Sequence, residues 1–170
     1  EGSGFTLIDG ENHIIGDKAV KIDKGSYFKC LPDFSLPTGN YTFMAKMKYS
    51  DTGAHALLQT DLTNTDAAEF MINENGSPGV EGIGYAPKQP SILSIGPGSW
   101  NRIFVIAEDN TYKLYVNGEL TYTGGSSNLR YLLDSEGFLM FADGSGKDNA
   151  VEVSEVALWD LALSQEEMLL

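Results

Sequence analysis

One stretch of the chain alternates apolar and polar side chains with a period of two. In Tyr41–Tyr49 the odd positions are apolar, and Thr42, Lys46 and Lys48 fall between them. Successive side chains of a β-strand point to opposite faces, so this pattern predicts an antiparallel strand with one buried face. Further along, Asn117-Gly118 separates two runs of strand-forming residues. Both turn residues tolerate the positive φ of a type I′ turn, which predicts a β-hairpin.

Similar runs separated by turn residues predict an all-β fold. Trp100–Ala107 is apolar on both faces apart from Asn101 and Arg102, which predicts a central strand. Ser164–Glu167 forms a capping box, which predicts a short C-terminal helical turn. No repeat or linker interrupts the sequence, so we expect residues 1–170 to form one domain, a sandwich of two antiparallel sheets. The other expected strands are Phe5–Ile8, Ala19–Ile22, Tyr27–Leu31, Ala56–Thr60, Glu69–Ile72, Gly82–Tyr85, Tyr112–Val116, Glu119–Thr123, Gly137–Ala142 and Val151–Trp159.

An ordered set of short segments, most specific towards the end of the chain, resembles a known family. It includes Asn40-Tyr41-Thr42, Leu57-Leu58-Gln59-Thr60-Asp61, Trp100-Asn101-Arg102-Ile103, Leu114-Tyr115-Val116-Asn117-Gly118, Phe141-Ala142-Asp143 and Val153-Ser154-Glu155-Val156-Ala157-Leu158-Trp159-Asp160. The set resembles the laminin-G-like jelly rolls of bacterial secreted proteins, within the concanavalin A-like lectin/glucanase fold. The resemblance implies a two-sheet antiparallel jelly roll. It leaves the function open, because that fold hosts both lectins and polysaccharide-cleaving enzymes.

Charge narrows the range of partners. The chain has 24 acidic and 11 basic residues, a formal net charge of -13. An acidic surface repels phosphate backbones and anionic lipids, so we expect no nucleic-acid partner. No apolar run approaches the roughly 20 residues of a membrane-spanning helix, and we expect no membrane insertion. The chain begins at Glu1 without an initiator methionine, as a processed domain does, and together with the resemblance this leads us to expect a secreted, extracellular, periplasmic or cell-surface protein.

The lone cysteine carries no information about the compartment. Cys30 has no second cysteine with which to form an internal disulfide. Free cysteines are among the most buried residue types, so we expect Cys30 to act as a small apolar core residue.

Two oxygen-rich segments are candidate cation sites. In the first, glycines bend a segment that carries Asp143, Asp148 and Asn149, and calcium prefers oxygen ligands of this kind. Relatives with the resembled fold commonly hold a structural calcium near the last strand, so calcium is the cofactor that we expect there. The runner-up cluster is Asp61, Asn64, Asp66 and Glu69. For both segments the alternative is an ordinary polar turn, because Asp and Asn bond their own backbone in turns.

No arrangement typical of catalysis is visible in the sequence. Glycosidases need two carboxyls on one face, and residues two apart on a strand meet that need. Glu152 and Glu155 are three apart, which predicts opposite faces unless a β-bulge realigns them. His13 and His55 are isolated, without a metal-binding or nucleophile motif beside them. We therefore expect no enzyme activity.

Aromatic residues supply the candidate ligand contacts. Trp100 and Trp159 lie in apolar strand segments, so we expect both to be buried in the core. Tyr85, Tyr122 and Tyr131 lie beside turns rich in Gly or Ser and are the predicted surface platforms for a ligand.

These features together predict a non-catalytic extracellular recognition module. The expected ligand is carbohydrate, a polysaccharide or other extracellular polymer, with calcium as a stabilising ion. Two alternatives remain open at this point. One is a glycoside hydrolase or polysaccharide lyase of the same fold, and the other is a structural accessory domain packed on a neighbouring catalytic domain.

Overall fold

The computed structural model describes residues 4–11, 17–31, 40–63, 68–87, 95–108, 111–125, 132–142 and 149–169. These residues form two antiparallel sheets and one short helix, α1 (Gln165–Met168). Among the described residues, no helix is long and apolar enough to cross a bilayer, since α1 has only four residues.

The larger sheet has seven strands, ordered β1-β2-β13-β4-β9-β10-β11. Its members are β1 (Phe5–Asp9), β2 (Lys18–Ile22), β13 (Val151–Trp159), β4 (Tyr41–Lys48), β9 (Asn101–Glu108), β10 (Thr111–Val116) and β11 (Glu119–Gly125). The central position of β9 confirms the prediction for Trp100–Ala107.

The smaller sheet has six strands, ordered β3-β12-β5-β6-β7-β8. Its members are β3 (Phe28–Cys30), β12 (Phe138–Met140), β5 (His55–Gln59), β6 (Glu69–Ile72), β7 (Pro78–Val80) and β8 (Gly84–Tyr85). The two sheets confirm the predicted all-β sandwich.

The main core lies between the sheets, and β4 shows how the alternation builds it. Phe43, Ala45 and Met47 point inward and are almost completely buried. From the six-stranded sheet, Leu57 and Phe70 join the same cluster. Side chains of this size each contribute about 1.5–3 kcal/mol when buried, so this core is the main source of stability.

The outer face of the seven-stranded sheet carries a second, smaller apolar cluster. Met44, Phe104, Ile106 and Tyr115 lie there and are covered by Met168 of α1. The C-terminal segment is therefore folded back over this face of the sheet.

Thr42 anchors that segment. The side chain is fully buried, and its Oγ1 donates to the Leu161 carbonyl at 2.8 Å and accepts from the Leu163 amide at 2.9 Å. Ser164 then begins α1 with the predicted capping box, its hydroxyl accepting from the Glu167 amide. These contacts fix the start of the helix against the sheet.

The predicted Asn-Gly hairpin joins β10 and β11. Asn117 has φ 52° and Gly118 has φ 86°, as a type I′ turn requires. An added Cβ at Gly118 would lie 2.7 Å from Cδ2 of Leu169, an exposed side chain after α1 that could move aside. The positive φ of the turn is therefore the stronger reason for glycine at this position.

One strand escapes prediction from the sequence. Strand β7 begins with Pro78-Gly79, a pair disfavoured in strands. Pro78 occupies the first position of the strand, which proline tolerates. Gly79 permits close approach of β8, because an added Cβ would lie 2.3 Å from the Gly84 carbonyl oxygen.

Cys30 lies at the end of β3 and is half-buried rather than fully buried as expected. It packs against the main core, and partial burial raises the pKa of its thiol.

Tyr41 is the basis of a stability prediction. Its side chain is fully buried, burial raises the pKa of the phenol, and its hydroxyl has no hydrogen-bond partner among the described residues. A buried hydroxyl without a hydrogen-bond partner lowers the stability of the folded state by about 1–3 kcal/mol. Tyr41→Phe removes this hydroxyl, so the variant should have a free energy of unfolding about 1 kcal/mol or more higher in urea titrations. Tyr49 is the matched control, because its hydroxyl donates to the Ile95 carbonyl. Tyr49→Phe should lower stability by about 1 kcal/mol, and a less stable Tyr41→Phe would contradict the prediction.

Candidate functional site

A β-bulge in β13 changes which residues share the outer face of the seven-stranded sheet. Glu152 is opposite Lys48, but the register shifts after Val153, so that Glu155 is opposite Lys46. Lys46 and Lys48 are two apart on β4 and share one face. The prediction that Glu152 and Glu155 lie on opposite faces is therefore wrong. The extra residue, Ser154, realigns them.

These side chains form two cross-strand rows of charge. In one, Lys48 Nζ lies 2.5 Å from a Glu152 carboxylate oxygen. In the other, Lys46 is between Glu155 and Arg102 in the register. Two contacts hold the second row, from Lys46 Nζ to Glu155 at 3.5 Å and from Arg102 Nη2 to Glu155 at 3.1 Å. Lys46 Nζ also lies 2.6 Å from a carboxylate oxygen of Glu11, which follows β1.

Lys46 is the most enclosed charge of this set. Its side chain is 17% exposed, against 42% for Arg102 and Glu155. The hydrogen bond from Lys46 to Glu11 raises the pKa of Lys46, partial burial opposes that shift, and the charges of Glu11 and Glu155 reinforce it. The ammonium group is therefore held in its charged form beside two carboxylates.

Trp100 lies immediately before β9, next to the first row. Its indole is half-buried, and Lys48 Nζ lies 5.2 Å from the ring centroid in a cation–π contact. Trp159, at the end of β13, is also half-buried and packs against the outer apolar cluster. The prediction that both tryptophans are buried in the core is wrong, because both border the outer face of the sheet rather than the space between the sheets.

A pocket of about 300 Å³ opens where the second row meets the hairpin and α1. Trp100, Arg102 and Lys46 line it, with Glu11 on one side. We call it the Trp100 pocket, and its full lining is Glu11, Lys46, Trp100, Arg102, Phe104, Asn117, Gly118, Met168 and Leu169.

The wall formed by the hairpin is held by hydrogen bonds. Asn117 Oδ1 accepts from the Arg102 amide at 2.9 Å, and its Nδ2 donates to Asn101 Oδ1 at 3.0 Å. Gln165 Nε2 donates to the Gly118 carbonyl at 2.9 Å, which ties α1 to the turn. These hydrogen bonds fix the position of the hairpin turn relative to β9 and α1.

Two other pockets of similar volume occur in the described part of the chain. One, of about 300 Å³, is lined by Tyr49 and by turn residues 73–76, and the other, of about 350 Å³, is lined by Tyr115, Glu108 and Lys113. Their aromatic rings are covered, since Tyr49 is 4% exposed and Tyr115 is 8% exposed. Of the three, the Trp100 pocket combines an accessible aromatic ring with several charged groups.

Two of the three predicted tyrosine platforms, Tyr85 and Tyr122, are among the described residues, and neither lines the Trp100 pocket. Tyr122 packs against the main core and is tilted against Tyr112, with ring centroids 5.9 Å apart. The Tyr85 hydroxyl donates to a Glu81 carboxylate oxygen at 2.5 Å, and burial followed by this bond raises the pKa of the phenol. Tyr131 lies outside the described residues. Ligand binding by these tyrosines stays a prediction.

Of the first predicted cation site, the described residues contain Asn149, while Asp143 and Asp148 lie outside them. Asn149 Nδ2 donates to the Ala54 carbonyl at 2.9 Å. Asp51 is nearby, because Asn149 and Asp51 both border Gly53. Calcium takes six to eight oxygens, so these two described side chains alone do not make a site.

In the runner-up cluster, Asp61 acts as a turn residue. Its Oδ1 accepts from the Thr63 amide at 2.7 Å and from the Thr63 hydroxyl at 3.2 Å. Glu69 is buried in β6, and Asn64 and Asp66 lie outside the described residues. Within the described ranges, no group of three or more His, Cys, Asp or Glu side chains is placed to hold a metal ion.

His55 is completely buried in β5. Its ring stacks on Tyr49 at 4.1 Å, and Nε2 lies 3.1 Å from Asp51 Oδ1. Burial lowers the pKa of His55, although Asp51 opposes the shift. His13 lies outside the described residues.

Sequence reasoning did not identify Lys46, Arg102 or Glu11 as site residues. The alternation in Tyr41–Tyr49 already places Lys46 and Lys48 on the outer face. The missing information is the register, which sets Lys46 opposite Arg102 and Glu155. Those pairings join segments more than 50 residues apart in the sequence.

Solved structures share this fold. The binding domain of Paraclostridial Mosquitocidal Protein 1 matches with a TM-score of 0.71 at 14% identity, over 98% of this chain and 45% of that one. Trypanosoma rangeli sialidase in complex with sialic acid matches with a TM-score of 0.65 at 17% identity, over 88% of this chain and 26% of that one. The chain thus spans less than half of either protein, and at these identities the likeness establishes the fold alone.

Sequence comparison agrees with the structural one. No curated protein sequence matches the chain. The model of a family described as the concanavalin A-like lectin/glucanases superfamily, Laminin_G_3, matches residues 23–168. This match covers most of the chain and includes every strand from β3 to β13. The protein therefore belongs to the laminin G-like family of concanavalin A-like lectins and glucanases.

Proposed function

We propose that this domain is a non-catalytic, extracellular recognition module that binds carbohydrate in the Trp100 pocket. The observation that carries the proposal is the half-exposed indole of Trp100 beside Arg102, Lys46 and Glu11. Ligand pockets typically combine aromatic surface with a few polar groups that fix orientation. An indole packs against the C–H groups of a sugar ring, while guanidinium and ammonium groups donate to hydroxyl oxygens and a carboxylate accepts from hydroxyls.

The family and the structural neighbours support this proposal. The superfamily description names lectins and glucanases, and one neighbour is a sialidase. Another neighbour is described as a binding domain. The partner that we propose is a glycan or another extracellular polymer. An extracellular or cell-surface location of this domain would bring it into contact with such a ligand.

The alternative is a glycosidase or lyase, and one observation favours it. The bulge at Ser154 brings Glu152 and Glu155 to the same face, which catalysis by two carboxyls requires. Each carboxylate, however, faces a cation of the same sheet rather than a second carboxyl across a groove. We therefore interpret these glutamates as structural ion pairs.

A second alternative is an accessory domain that packs on a neighbour. Two apolar side chains of edge strand β1, Phe5 and Leu7, are 36% and 67% exposed. Scattered apolar residues are normal on protein surfaces, so this feature supports the accessory role less than the pocket supports binding.

The proposed binding site leads to a prediction for the two tryptophans. Trp100→Ala should weaken glycan binding at least about tenfold, because it removes the aromatic wall of the pocket. Trp159→Ala is the control, since Trp159 packs against the outer cluster and does not line the pocket. It should lower the melting temperature and leave the affinity of the folded protein unchanged. A glycan array identifies the ligand and titration calorimetry gives the affinities. The reverse outcome would move the site away from Trp100.

The non-catalytic role predicts that polysaccharides are bound without being cleaved. Reducing-end assays and assays for unsaturated products on the bound glycans should show no turnover. Any turnover should be tested in Glu152→Gln and Glu155→Gln, with Glu108→Gln as a control on the same sheet. Activity that disappears in the first two variants and persists in the control would establish the enzyme alternative.

Calcium is the proposed stabilising ion, bound where Asn149 follows the acidic segment 143–148. Melting temperature should be higher in calcium than in chelator. Calcium at a concentration a hundredfold above its dissociation constant would raise the free energy of unfolding by about 2.7 kcal/mol. Magnesium should substitute poorly, because it demands octahedral geometry and releases water reluctantly.

Two variants assign the ion. Asp143→Ala should abolish the calcium effect, whereas Asp61→Ala should preserve it. The opposite result would assign the ion to the runner-up cluster. A melting temperature that chelator leaves unchanged would mean that both segments are ordinary turns.

A further inference from the structure

Both cations of the Trp100 pocket are already held by carboxylates of the protein. Lys46 contacts Glu11 at 2.6 Å and Glu155 at 3.5 Å, and Arg102 contacts Glu155 at 3.1 Å. Glu155 thus bridges the two cations, and Glu11 forms a second ion pair with Lys46. The pocket offers hydrogen-bond donors and acceptors, but its positive charges are compensated from within.

Because Glu155 and Glu11 already pair with the two cations, a ligand carboxylate would bind unfavourably in this pocket. To reach Arg102 or Lys46, it would have to displace Glu155 or Glu11, or to lie close to them. Like charges at contact distance repel each other, and they do so more strongly in a partly buried site than in bulk water. A sugar hydroxyl in the same place carries no such penalty, because it is uncharged and can either accept from a cation or donate to a carboxylate.

Longer-range charge acts in the same direction. The chain carries a net charge of -13, so its surface potential opposes the approach of polyanions. Surface repulsion of this kind weakens as salt is raised, since the screening length is about 10 Å at 0.1 M. The contact effect at Glu155 is shorter in range and is less sensitive to salt.

We propose that the Trp100 pocket is selective for uncharged sugars, and that Glu11 and Glu155 exclude acidic ones by occupying the cations. The inference rests on the proposed function and names its ligand class. Glu155 acts here as a specificity-determining residue that need not contact the bound sugar.

The experiment compares matched ligands. Arrays and calorimetry would use pairs of oligosaccharides that differ in one group, such as glucose against glucuronic acid and galactose against galacturonic acid at the same position. Wild-type protein should bind the neutral member at least about tenfold more tightly. That preference should persist when salt is raised, because it arises at contact distance.

Glu155→Gln provides the direct test. It leaves Arg102 and Lys46 with one fewer carboxylate, so the neutral-to-acidic affinity ratio should fall about tenfold. Glu108→Gln is the matched control, because Glu108 lies on the same face, pairs with Lys113 at 3.2 Å and has a similar exposed fraction. Each variant removes one negative charge from the chain, so any difference between them is local to the pocket.

The outcomes separate this inference from the proposed function. Wild-type protein that prefers the acidic sugars, or a ratio that changes equally in Glu155→Gln and Glu108→Gln, would overturn the selectivity while carbohydrate binding stands. Failure of both ligand classes to bind would overturn the proposed function, and this inference with it. Because the ratio is measured, a general loss of affinity in Glu155→Gln does not imitate the predicted result.

Discussion

Antiparallel pairing of β4 with β13 on one side and β9 on the other is the constraint on which the rest of the molecule depends. Directly opposite side chains in such pairs lie about 4.5–5.5 Å apart at Cβ, so the register decides which residues meet. On the inner face this register assembles Phe43, Ala45 and Met47 into the core. On the outer face the same register sets Lys46 between Glu155 and Arg102. The core and the pocket are therefore two consequences of one set of backbone hydrogen bonds.

The bulge at Ser154 allows β13 to contribute to both faces of the sheet. Without it, strict alternation from Val153 would turn Glu155 towards the core, where an unpaired carboxylate is costly. With it, Val156 pairs with Ala45, and Glu155 turns outward to Lys46 and Arg102. The sequence does contain a trace of this shift. The apolar residues of β13 change from odd to even positions after Val153, and one of the later ones, Leu158, packs against the main core.

Local pattern was sufficient to predict most of the fold. The alternation in β4 and the Asn117-Gly118 turn depend on neighbours in sequence, and the structure confirms both. Strand β7 was missed because Pro78-Gly79 opposes a strand locally, and only the approach of β8 explains it.

The candidate site was less predictable, because it arises from contacts between distant segments. Trp100 precedes a strand that is rich in apolar residues from Ile103 onward, yet it borders the outer face, beside Lys48 of another strand. Glu11 belongs to the N-terminal part of the chain and reaches Lys46 across the sheet. Neither contact follows from the spacing of residues along one strand. The acidic segment 143–148 lies outside the described residues, so the calcium proposal depends on the sequence and on Asn149.

Stability alone does not account for the charges around the pocket. Ion pairs between partly exposed groups contribute about 0–1 kcal/mol each, whereas the buried face of β4 contributes several times more. Yet three of the chain's 11 basic residues, Lys46, Lys48 and Arg102, lie together on this face of a strongly acidic protein. Such a concentration supplies directed donors at one place on a surface otherwise rich in acceptors. The paired glutamates keep those donors in position without leaving a net positive charge, and this combination suits a ligand covered with hydroxyl groups.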